Sequence, residues 1–124
     1  MTERDRDRAR RFVPDILDAM QAIRTFTDGV SFDEFQGDLM MQYAVHYAFG
    51  IIGEAAKRVP PEVQAMAPEV DWRGMAGMRD FIVHSYDHVA PGIVWDTMLE
   101  RFPIEQPALR TLFDDLDTED ADDA

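Results

Sequence analysis

In the stretch RDFIVHSYDH, residues 79–88, three side chains have the types and spacing of a reaction set. Arg79 is followed after four residues by His84, and after one more by Tyr86. Phe81, Ile82 and Val83 between them read as core helix, which needs none of the three polar groups. Together the three suit cleavage of RNA without a metal. Histidine titrates near neutral pH and can take the proton from a 2′-hydroxyl or supply one to the leaving oxygen. A guanidinium can grip a phosphate through a bidentate fork and stabilise the charge that builds on it. A phenol can donate to a phosphate oxygen or stack on a base.

Wound as one helix at about 100° per residue, the stretch separates these groups. Met75, Met78, Ile82 and Val89 share the buried face. Arg79 and Tyr86, seven residues apart, fall together at its edge, whereas His84 lies near the opposite side. Three arrangements resolve this. The helix could end or distort near His84, His84 could meet groups from another helix, or a symmetric dimer could bring two copies of the motif across one cleft. The dimer best suits an arginine and a tyrosine at the rim of a packing face.

Other polar residues carry weaker signals. Glu54, in IIGEA, fits an orienting partner for Arg79 or His84 and equally an exposed helix carboxylate. His84 and His88 stand four apart with Asp87 between, a spacing that can bind metal on a helix, but His46 is the sole remaining histidine and no metal or other cofactor is expected. Lys57, Arg58 and Arg73 read first as solvated charges and second as an RNA path. Tyr43, Tyr47 and the eight methionines read as packing residues.

The composition narrows what can surround such a site. The 124 residues suffice for one domain with a real core, and 46% hydrophobic content is globular. Without cysteine there is no disulfide, thiolate nucleophile or cysteine–zinc site, which suits a reducing cytoplasm. The opening MTERDRDRARR is too charged for a signal peptide, and no apolar run approaches the ~20 residues of a membrane span. Net charge is −13, unevenly placed. Residues 114–124 hold seven acids and no base and read as a disordered tail after a helical domain of residues 1–113. Residues 1–11 hold five arginines against three acids. A general nucleic-acid binder would be basic overall, so RNA must be met in a local cleft with arginines placed there.

The elements that must hold the cleft are helices. Phe12, Ile16, Leu17, Met20, Ile23 and Phe26 recur three or four apart, with Gly29 as a stop and Pro14 as either a start or a kink. Ser31 and Glu34 form a capping box that opens a second helix, expected to run unbroken to Val59 before Pro60 and Pro61. Gly50 and Gly53 within it signal close approach of another helix. A third helix from Asp71 or Trp72 holds the motif and is expected to continue to VAPG. A fourth runs from Pro91 to about Phe102, and Pro103 and Pro107 set off a short fifth. The fold class is an all-α antiparallel bundle of four to five helices.

Arg79, His84 and Tyr86 match the R-x4-H-x-Y signature of HEPN domains. With DILDAMQAIRTF, FDEF, IIGEAAKRVPPEV, VDWRGMAGMRDFIVHSYDHV and IVWDTM in order, residues 5–113 resemble the HepT branch of that superfamily, the toxins of HepT/MntA toxin–antitoxin systems. The resemblance implies an all-α homodimer with the motif cleft at its interface and a metal-independent ribonuclease with Arg79, His84 and Tyr86 as catalytic residues. It also implies an MntA-like minimal nucleotidyltransferase antitoxin that attaches AMP to Tyr86, filling a phosphate site with bulk and negative charge. The sequence departs from the family pattern at Asp80, usually asparagine, at Ser85, often glycine, and in HYAFG, where relatives carry an arginine–asparagine pair. A second reading is a non-enzymatic interaction protein that keeps the motif as a docking and modification surface; a third is a plain self-assembling bundle.

Overall fold

The computed structural model describes residues 1–123, with side chains through Thr118. Six helices occur in the order α1 (Glu3–Phe26), α2 (Phe32–Gln36), α3 (Leu39–Arg58), α4 (Pro61–Gln64), α5 (Trp72–His84) and α6 (Pro91–Asp123), with no strand among the described residues. Four are long and two are short, so the all-α bundle expected from the apolar spacing is present. No described helix is long and apolar enough to cross a membrane.

Local chemistry sets each start. Thr2 caps α1 through a capping box with Asp5, and Ser31 caps α2 through the expected box with Glu34. The expected long second helix is broken. Gly37 ends α2, and Asp38 caps a new helix by accepting from the Met41 amide at 3.0 Å. A glycine followed by an aspartate is a stop followed by a start. Gly29 adopts φ +70° in the turn after α1, where a side chain would be strained.

Two other expectations are corrected. α5 ends at His84 rather than at VAPG, so Tyr86 sits outside it and does not share a helical face with Arg79. Pro103 and Pro107 lie inside α6 and do not divide it. Both prolines are exposed and four residues apart, so the carbonyls they leave unbonded face water. On the opposite side Phe102, Gln106, Leu109, Leu112 and Leu116 are buried, which offsets the cost of the two missing bonds. α6 therefore passes residue 113. Leu116 is fully buried while Asp114, Asp115, Asp117 and Thr118 are exposed, so the acidic stretch expected as a tail begins as helix anchored at Leu116. The side chains of 119–124 lie outside the described residues.

α3 is the central element, packed against α1 on one side and α5 on the other, while α6 lies along α1. Ile16, Met20 and Ile23 of α1, Ile52 and Ala56 of α3, and Phe102 and Leu109 of α6 are buried together. Trp95 ties α2 to α6, with ring centroids 5.1 Å from Phe35 and 5.8 Å from Phe32. The start of α5 is anchored twice. Asp71 caps it at the Gly74 amide, and the buried Glu105 of α6 accepts from the Asp71 amide at 2.8 Å. Burial raises the Glu105 carboxyl above its usual range, against the pull of that hydrogen bond and of Arg101.

Candidate active site

Arg79 stands where α5 touches α3. A Cβ placed on Gly53 of α3 would lie 2.2 Å from the Arg79 Cβ and 2.8 Å from the Met75 carbonyl, so the two helices meet closely because residue 53 has no side chain. Gly50, the other glycine expected to serve this purpose, has nothing within 4 Å; it lines a groove instead.

The seam places Arg79 among carboxylates. Its Nε lies 3.1 Å from Glu54 Oε1, and its Nη1 donates to Asp80 Oδ1 at 3.1 Å. Lys57 Nζ donates to the same Asp80 oxygen at 2.7 Å and stands 3.8 Å from Glu54. Glu54 thus pairs with Arg79 while its side chain stays 43% exposed, so features of both readings open from sequence are present. Asp80 is held below the usual carboxylate range by its bond from Lys57 and then by that from Arg79. Asparagine at 80 could accept from one of these cations but would not neutralise either. Replacing Asp80 by Asn is expected to release Arg79 and Lys57 toward a bound phosphate and to tighten RNA binding by roughly threefold to tenfold at low salt. Filter binding across a salt series measures this, and weaker binding would show that Asp80 is needed to orient Arg79.

Arg79 opens onto a groove of ≈490 Å3. Asp15, Glu54, His46 and Arg58 contribute its polar lining beside Arg79, while Phe12, Tyr47, Ile51, Ile82 and Val83 are among its apolar walls. His46 Nε2 is buried there without a hydrogen-bond partner, and burial lowers the imidazole's pKa below its ordinary value. In the sequence His46 stands only as the lone histidine beyond His84 and His88, and no spacing links it to the motif.

His84 and Tyr86 are exposed at the end of α5 and make no hydrogen bond with Arg79. The helix closes with Ser85, whose amide donates to the Phe81 carbonyl at 2.9 Å with φ −127°. That angle suits any L-residue, so Ser85 in place of the usual glycine costs no strain. The Ser85 carbonyl then accepts from the His88 amide at 2.9 Å, and this turn presents Tyr86, 76% exposed. Of the residues between the motif positions Ile82 alone is buried; Phe81 and Val83, expected in the core, are exposed. His88 pairs with Asp87 at 2.9 Å, and no cluster of three or more metal-binding side chains occurs among the described residues.

A family model described as "Ribonuclease HepT-like" matches residues 16–112. The chain belongs to this HEPN family. A Methanocaldococcus jannaschii protein named "Putative RNase MJ0127" is 36% identical over 90% of this chain and 92% of its own length. The "Probable ribonuclease HepT" of Thermococcus cleftensis is 39% identical over 74% of this chain and 84% of its own. A second M. jannaschii protein, "Putative RNase MJ1216", is 31% identical over 88% and 90%. No solved structure matches. The family assigned from R-x4-H-x-Y and its flanking blocks is therefore the family of the chain, and the expected all-α HEPN fold is the one observed.

Proposed function

We propose that this protein is a metal-independent HEPN ribonuclease and the toxin of a toxin–antitoxin pair. The observation that carries the reading is Arg79, fixed by Glu54 and Asp80 at the mouth of a groove, with exposed His84 at the end of the same helix and exposed Tyr86 in the turn that follows. The groove orients an RNA phosphate on Arg79. His84 moves the proton between the 2′-hydroxyl and solvent or the leaving oxygen, and Tyr86 contacts the phosphate or an adjoining base. The names of the relatives, all ribonucleases, support this choice of substrate.

One chain leaves His84 away from Arg79, so the site is completed by a second copy. α3 carries an exposed apolar face of Leu39, Met40, Tyr43, Tyr47 and Ile51, and Phe81, Val83 and Tyr86 add to it from the motif end of α5. Such a face marks a protein interface, and one that borders the groove would carry a partner copy's motif to it. Replacing Met40 and Tyr43 together by aspartate places like charges across that interface. Sedimentation is expected to show a dimer for the unaltered protein and a monomer for the double variant, with unchanged helicity and cleavage reduced at least about tenfold. A monomeric unaltered protein that still cleaves RNA would exclude the shared site.

The partner is a minimal nucleotidyltransferase antitoxin that attaches AMP to Tyr86. An exposed tyrosine on a turn is accessible to such an enzyme, and the adduct adds negative charge where a phosphate must bind. Incubating the protein with RNA and EDTA, before and after modification at Tyr86, tests the whole reading. Cleavage before and none after supports it. Absence of cleavage in both, with tight antitoxin binding, favours the non-enzymatic docking protein, a reading that the two carboxylates on Arg79 make concrete.

A further inference from the structure

Seven arginines outside the motif stand without an acidic partner among the described residues: Arg24, Arg73 and Arg110, and a group of four that reaches the groove. Arg4, Arg8, Arg11 and Arg58 are exposed, and none has a described carboxylate oxygen within 4.0 Å. Arg4, Arg8 and Arg11 follow at four and three residues along α1, so they share one face over about 10 Å of helix. The Arg11 guanidinium lies 5.1 Å from the centre of the Phe12 ring, and that of Arg58, from the end of α3, lies 5.5 Å from the same centre. Phe12 and Arg58 also line the groove that holds Arg79. The arginine face of α1 and the motif groove are therefore parts of one surface.

The stability of α1 does not account for this charge. Arg4 lies in the first turn, where the helix dipole disfavours cations, and neighbouring like charges at three and four residues repel. Nor does solubility, because the chain already carries −13. A polyanion does account for it. The groove, at ≈490 Å3, is on the scale of one nucleotide rather than a duplex, and Arg79 and Arg58 both line it. Two carboxylates line the groove: Glu54 is bound to Arg79, and Asp15 opposes an anion.

We propose that single-stranded RNA flanking the cleaved bond runs from Arg79 through the groove, over His46, and out along Arg58, Arg11, Arg8 and Arg4. This rests on the ribonuclease reading and adds to it the route of the substrate. The test uses the full chain with His84→Ala to prevent cleavage and a labelled single-stranded RNA of mixed sequence, with Kd measured across a salt series. Removing one cation that neutralises a phosphate lowers the slope of log K against log salt by about 0.7. Arg8→Gln with Arg11→Gln is expected to lower the slope by about 1.4, whereas Arg24→Gln with Arg110→Gln, two exposed arginines off this face, leaves it unchanged. Asp15→Asn is expected to strengthen binding. Equal slopes for the two double variants overturn the route, and cleavage by the unaltered chain then leaves the ribonuclease reading standing. No RNA binding and no cleavage at all overturn both. Loss of nucleotidyltransferase capture by the Arg8 and Arg11 double variant, with its RNA slope unchanged, makes this face a protein-docking site and also overturns the route.

Discussion

His84→Ala is expected to lower the rate of RNA cleavage by about 10²–10⁴-fold, the range for loss of a positioned acid–base group, and to leave the fold intact. The second half of the expectation follows from position. His84 is exposed in the last turn of α5 and lies outside the buried core, so its removal should change stability by no more than about 0.5 kcal/mol. Retained melting temperature with lost cleavage assigns the effect to chemistry. Growth gives the matching readout: cells making the unaltered protein arrest, and cells making equal amounts of His84→Ala do not. Tyr86→Phe separates the roles further, because it keeps the ring but removes the oxygen that receives AMP. It is expected to retain part of the cleavage while escaping the antitoxin. Cleavage by His84→Ala at the unaltered rate would remove histidine from the mechanism and leave Arg79 with a binding role only.

The site was legible as residue types before it was legible as geometry. R-x4-H-x-Y and its flanking blocks indicate the family, and the apolar spacing indicates a helical bundle with Met75, Ile82 and Val89 on the inner face, where they are found. What periodicity could not show was where the motif helix stops. Residues 79–89 keep a helical pattern through Val89, yet the amide of Ser85 closes the last turn on Phe81 and the chain leaves the helix. Tertiary packing decides this: Val89 reaches the core from a turn rather than from the same helix. The two prolines misled in the opposite direction. Proline usually divides a helix, but exposure of Pro103 and Pro107 lets solvent satisfy the freed carbonyls while the buried face of α6 holds the helix together.

The charges show a similar division. A formal charge of −13 suggests an anion-repelling protein, and the sequence places three of the six arginines of α1, Arg4, Arg6 and Arg8, beside acids. Side-chain geometry sorts them. Arg10 is bonded to Asp7 and Leu116, whereas Arg4, Arg8 and Arg11 keep their charge on one face. Asp80 likewise looks like an intrusion on a phosphate site until Lys57 is seen across the α3–α5 seam, where the carboxylate holds two cations in place. Long-range pairs of this kind have no sequence spacing to announce them.

Gly53→Ala is expected to destabilise the protein by about 1–3 kcal/mol and to cost cleavage as well. Within a helix this substitution normally helps by roughly 0.5–1 kcal/mol, so the sign itself is diagnostic. At residue 53 the new methyl would meet the Arg79 Cβ at 2.2 Å and the Met75 carbonyl at 2.8 Å, against the roughly 3.5–4.0 Å at which carbon atoms rest. The first clash involves the root of a side chain and the second is backbone, so neither can swing aside, and α5 must shift by more than about 1 Å relative to α3. That shift moves Arg79 away from Glu54 and from the groove, and a misplacement of this size at a reacting centre can cost about 10²-fold in rate. Gly77→Ala is the control, since a Cβ there meets nothing within 4 Å; it should raise the melting temperature. If Gly53→Ala melts above the unaltered protein and cleaves normally, the close α3–α5 approach is not what fixes Arg79. If it melts lower and Arg79→Gly in the same chain restores part of the stability, the collision at the Arg79 Cβ is the cause, and the missing side chain at residue 53 is a condition of the site.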